Sequence, residues 1–181
     1  QRRFYDENGY IVIKNLLSPD EVSKYYNRFD ELVSNPKERP ATLVVMRDVS
    51  LKGLKRKDRS SERVVTKLQA WAYDRVLWQF AKNEKITKYI ESIIGSDIRA
   101  HHFMEINKPS DPGMLSSRHP LHQDQWYFPF APSKYIVCAW TALQPIYRNN
   151  GCLIVIPGTH KYNKQLNIGG KLLVHSYPKP W

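Results

Sequence analysis

Lys134-Tyr135-Ile136-Val137-Cys138-Ala139-Trp140-Thr141-Ala142-Leu143, followed by Arg148-Asn149-Asn150-Gly151 and Cys152-Leu153-Ile154-Val155-Ile156, reads as strand, turn, strand. The apolar runs are rich in β-branched and aromatic residues, which suit a pleated, half-buried backbone. Between them an Asn-Gly pair offers the positive φ that a tight hairpin needs. The reading predicts antiparallel sheet in the second half of the chain. Upstream, residues 98–107 alternate in the same way, with Ala100, His102, Met104 and Ile106 on one face.

The first half reads differently. A short helix is expected over residues 2–8, stopped by Gly9, then a strand over 10–14. Ser18-Pro19-Asp20-Glu21 combines an N-cap, a proline at the first helical position and a capping-box glutamate. Val22, Tyr25, Tyr26, Phe29, Leu32 and Val33 then recur at spacings of three and four, predicting a helix to Val33 with one face on a core. Residues 41–46 and 64–69 read as strands, and 71–81 and 84–94 as helices, the second ended by Gly95. Helices gathered early and strands late predict an α+β domain on a largely antiparallel sheet. A length of 181 residues suits a single domain, residues 1–181.

Composition narrows the partners. No apolar run approaches the length of a membrane-spanning helix, so no transmembrane segment is expected. The two cysteines, Cys138 and Cys152, do not make a disulfide framework and fit a reducing compartment. A net charge of +11 favours phosphate-bearing ligands or anionic surfaces. Lys52, Lys55, Arg56, Lys57, Arg59 and Arg63 crowd one stretch against only Asp58 and Glu62; such a run is commonly just a solvated face. No nucleic-acid motif accompanies it, and nucleic acid is not the expected partner.

Chemistry gathers at Arg118-His119-Pro120-Leu121-His122-Gln123-Asp124. Pro120 keeps the stretch extended, and in extended chain residues i and i+2 point the same way, so His122 and Asp124 converge. An imidazole nitrogen and a carboxylate oxygen, with one further His, make the facial triad of non-haem Fe(II) oxygenases. With six His and nine Asp in the chain, His-x-Asp arises by chance about 0.3 times, so the tripeptide alone decides nothing. Taken singly, Lys67 reads as the solvent face of a strand, and Met104 and Trp140 as ordinary core. His101, His102 and Glu105 invite a second metal site, but alternation puts His101 and Glu105 opposite His102.

Context adds to these residues. Gln1 to Tyr5, Val45-Met46-Arg47-Asp48-Val49, Thr66-Lys67, Ile106-Asn107-Lys108-Pro109, Ser117 to Asp124 and Tyr127-Phe128-Pro129-Phe130 are followed in order by Ile136 to Ala142, Arg148 to Leu153 and Pro157-Gly158-Thr159-His160-Lys161. In these words the chain resembles the phytanoyl-CoA 2-hydroxylases, a family of Fe(II)- and 2-oxoglutarate-dependent dioxygenases. The resemblance implies a double-stranded β-helix (jelly roll, cupin-like) core with N-terminal helices. It implies His122 and Asp124 as iron ligands, and Lys67, Met104, Gln123 and Trp140, with that pair, around 2-oxoglutarate. A carboxylate at Asp124 favours hydroxylation over the halogenation of relatives that carry a small residue there. His160 takes a structural role at a strand end.

The same resemblance implies O2 and 2-oxoglutarate as cosubstrates, ascorbate as an accessory reductant, a 3-methyl-branched acyl-CoA hydroxylated at C2, and a peroxisomal location. It leaves the oligomeric state open. The family's distal His and its downstream Arg have no evident counterpart; His175 is a candidate by spacing alone, with no Arg after it. The expectation is therefore a domain lacking its last strands, which by itself holds iron weakly and turns over nothing. A reading from another class stands beside it: a non-catalytic module that keeps the family core and binds acyl-CoA or nucleic acid.

Overall fold

The computed structural model describes residues 1–48, 64–109, 121–128 and 130–161. The basic stretch from Lys52 to Arg63 and His175 lie outside them. Helix α1 (Arg2–Asn8) ends as its sequence predicts: Gly9 takes φ 79°, open to glycine without strain, and its amide donates to the Tyr5 carbonyl at 2.7 Å. Helix α2 (Pro19–Ser34) starts with the expected capping box, Glu21 N donating to Ser18 Oγ at 3.2 Å and Ser18 N to Glu21 Oε2 at 2.7 Å. Glu21 also accepts from Lys85 and Asn83 at the start of α4 (Glu84–Ile94). Lys85, the Ser18 amide and Asn83 together pull its carboxyl down to about 2.

Three strands form one antiparallel sheet in the order β1 (Val44–Arg47), β2 (Val65–Gln69), β3 (Met104–Ile106). Register sets the faces, because directly opposed residues point to the same side. Val45, Leu68 and Glu105 are cross-strand partners on the side of the core. There Leu68 packs with Tyr25, Phe29, Leu32 and Val33 of α2, with Trp71 and Leu77, and with Ile86 of α4. Leu32 and Leu68 are fully buried, each worth roughly 1.5–3 kcal/mol relative to exposure. The other face carries Val44, Met46, Lys67, Gln69, Met104 and Ile106, and it is open: Val44 is 48% exposed and Met104 37%.

Several expected elements are corrected. Residues 10–14 form no strand; they find no ladder partner among the described residues, turn at Asn15 (φ 55°), and leave Val12 exposed. The helix expected over 71–81 is broken into a 3-10 turn (Trp71–Tyr73) and α3 (Leu77–Ala81), because the Asp74 carboxylate takes the amides of Val76 and Leu77 at 3.0 and 2.9 Å and starts a new helix. Of 98–107 only Met104–Ile106 pairs. Its ladder ends where Ala70 turns left-handed (φ 58°) and takes β2 away.

Residues 134–143 and 152–156 form no strands either, and Arg148–Asn150 is a 3-10 turn followed by Gly151 rather than the tip of a hairpin. A ladder needs a second backbone to receive its hydrogen bonds, and among the described residues none lies alongside. The α+β character and the antiparallel sheet stand; a complete jelly roll is not formed by the described residues.

Candidate functional site

His122 and Asp124 converge as an extended chain requires. Gln123 between them is extended (φ −108°, ψ 130°), and His122 Nε2 lies 3.3 Å from Asp124 Oδ1. A 3-10 turn (Asp124–Trp126) opens at the aspartate, whose carbonyl receives the amides of Tyr127 and Phe128 at 2.9 and 3.0 Å. The His122 ring meets Tyr127 edge-on with centroids 5.5 Å apart. One neutral imidazole nitrogen and one carboxylate oxygen at this separation are chemically suited to share a divalent cation. Among the described residues no group of three or more His, Cys, Asp or Glu gathers to hold one.

Lys67 and Met104 share the open sheet face. Lys67 is opposite Ile106 and Gln69 opposite Met104, so the lysine and the methionine are diagonal neighbours. Gln69 Nε2 reaches Met104 Sδ at 3.5 Å. Desolvation by the surrounding sheet pushes the Lys67 ammonium down from its usual range.

His102 joins this face to the His-x-Asp segment. Partial burial and then His101 push its imidazole down, Asp124 pushes it up and Lys67 down again, so the fields of both Asp124 and Lys67 reach it. Its ring lies 5.3 Å from Phe128, and His101 meets Phe130 edge-on at 4.5 Å. Asp124 also reaches Cys138, whose thiol is pushed up by surrounding protein atoms and then by this charge, although the residue itself stays exposed.

Not every sequence expectation gathers here. Gln123 Nε2 turns to the Thr159 carbonyl at 3.0 Å. Trp140 is 45% exposed, and no described contact brings it to Lys67, Met104 or Asp124. His160 sits in the 3-10 turn Thr159–Lys161 and meets the Asp6 carbonyl. The sequence reading gave His102 no role in the site; the residue precedes β3, while the pairing of β3 with β2 brings Met104 and Lys67 to one face.

Residues 5–171 match the family model described as Phytanoyl-CoA dioxygenase (PhyH). The chain belongs to the phytanoyl-CoA dioxygenase family. Over 99% of its length it is 47% identical to human peroxisomal phytanoyl-CoA dioxygenase and 43% identical to the probable phytanoyl-CoA dioxygenase of Caenorhabditis elegans, covering 50% and 55% of those proteins. Over 87% of its length it is 24% identical to the ectoine dioxygenase of Streptomyces anulatus, covering 49% of it. The chain thus spans about half the length of the curated relatives it matches.

Proposed function

We propose that this chain carries the iron ligands His122 and Asp124, and part of the 2-oxoglutarate site, of a dioxygenase that hydroxylates C2 of a 3-methyl-branched acyl-CoA in the peroxisome. Names of the relatives support the substrate class and the compartment. The observation that carries the reading is the 3.3 Å approach of His122 and Asp124. Ferrous iron with 2-oxoglutarate, when bound, supplies the oxidising power to place one atom of O2 in a C–H bond, the other atom leaving in succinate with release of CO2.

The protein's own work is binding and orientation. His122 presents an imidazole nitrogen and Asp124 a carboxylate oxygen on the same side of the chain. Lys67, partly desolvated, is a strong counter-charge for a dicarboxylate, and an anion beside it restores the ammonium's usual affinity for its proton. Met104 gives that anion's carbon skeleton an apolar floor. Phe128 and Phe130, 6.3 Å apart and nearly parallel, set an aromatic surface beside His101 and His102. Trp140 completes the cosubstrate pocket in this proposal.

Manganese(II) titration of the chain and its Asp124→Ala variant tests the reading, with far-UV circular dichroism as the control for folding. Loss of the carboxylate lowers metal affinity by at least about tenfold while helix content stays constant, because Asp124 is exposed and outside the core. Equal metal affinity in the two proteins would remove Asp124 from the metal.

A further inference from the structure

Helix α1 lies far from the His-x-Asp segment in sequence, yet a continuous set of hydrogen bonds joins them. The Gly158 amide donates to the Asn8 carbonyl at 2.9 Å, and His160 Nε2 donates to the Asp6 carbonyl at 3.1 Å. Both bonds dock the turn Thr159–Lys161 and its leading glycine on the last turn of α1, whose carbonyls have no partner within so short a helix. Fit is close as well as polar: a β-carbon on Gly9 would run into the His160 ring. From the other side of the same turn the Thr159 carbonyl takes the Gln123 amide at 3.0 Å. Gln123 stands between His122 and Asp124, so whatever holds its side chain limits the swing of both neighbours.

The far end of α1 is anchored too. Arg2 Nη1 donates to the Ser92 carbonyl at 2.5 Å, near the end of α4, where a cation also meets the negative end of the helix dipole. At its other end α4 is tied to α2 through Lys85 and Glu21, 2.6 Å apart. The helical layer is therefore connected, through α1 and the 157–161 turn, to the residue between the two candidate ligands.

We propose that the α1 terminus and the 157–161 turn form a latch that positions Gln123, and through it the His122–Asp124 pair, with His160 a positioning residue rather than a ligand. Its consequence for metal rests on the function proposed above; the latch itself does not. Without the latch Gln123 samples other directions, and the pair spends less time at its observed separation.

Hydrogen exchange and metal binding in the full chain test this together. His160→Ala removes the donor to Asp6 and speeds exchange at the Tyr127 and Phe128 amides, which close the turn at Asp124, by roughly fivefold. Amides of Leu32 and Val33 in the core of α2 keep their protection. His160→Gln, which retains an N–H donor, restores slow exchange. In parallel, His160→Ala and Gln123→Ala each weaken manganese(II) binding by about tenfold, and the double variant is no weaker than either. Unchanged exchange at Tyr127 and Phe128, loss of protection spreading to α2, or additive losses of affinity would each overturn the latch. Absence of metal binding by the parent chain would instead overturn the assignment of His122 and Asp124, and exchange would still decide the latch.

Discussion

Glu105 places a carboxyl on the core side of the sheet, opposite Leu68, with Oε2 buried and without a hydrogen-bond partner. Burial, and then the charge of Asp74, push it up to about 8 from an ordinary 4.5. Behind Asp74 stands Arg28 of α2, which neutralises that charge but makes no hydrogen bond to Glu105. Between the two pKa values the unfolded chain gives up the proton while the folded chain keeps it, so the folded state binds more protons. Stability therefore falls as pH rises through this window and levels off above it. Glu105→Gln flattens the fall and leaves the protein about 1–3 kcal/mol more stable than the parent at alkaline pH. Urea denaturation at about pH 5.5 and about pH 8.5 measures it, and parallel losses in both proteins would show that Glu105 is not responsible.

At the scale of elements, Asp74 is the junction. Its side chain is 0% exposed; Oδ2 accepts from Arg28 Nη2 at 2.7 Å while Oδ1 caps α3 through Val76 and Leu77. Burial pushes the carboxyl up, but Arg28 and the two amides outweigh it and hold it below its usual value. This contribution is present above an unfolded pKa of 3.8 and is lost as pH falls below it, so it stays constant in the window where Glu105 titrates. Asp74→Ala removes the buried partner of the Arg28 guanidinium, leaving it the half-exposed Glu31 at 2.6 Å, and uncaps α3, at a cost of roughly 2–4 kcal/mol in thermal or urea unfolding. Asp74→Asn keeps the cap without the charge and falls in between. A loss for Asp74→Ala no larger than that of an exposed ion pair would show that α2 and α3 are held by packing alone.

At the scale of the whole molecule, the net charge of +11 sets a long-range field that favours anionic ligands, among them the acyl-CoA proposed above. Reversing Lys55, Arg56 and Lys57 together, within the basic stretch, weakens equilibrium binding of the acyl-CoA proposed above by about tenfold, and added salt narrows the difference. An unmoved affinity would remove that stretch from acyl-CoA binding. What the sequence by itself determined was local: the ends of α1, α2 and α4 follow from Gly9, the Ser18 capping box and Gly95, whose partners lie within four residues. The approach of His122 to Asp124 was legible for the same reason, since two residues of extended chain fix it. Tertiary structure decided the rest. Strand-like runs at 134–143 and 152–156 acquired no ladder, because β propensity cannot supply a partner backbone. The helix over 71–81 broke because Arg28, 46 residues away, holds the aspartate that caps its second half. The pairing of β3 with β2 set Met104 beside Lys67 on one face, and the turn at Thr159 received the Gln123 side chain. Those placements depend on which surfaces pack together, a long-range choice that residue type and spacing do not encode.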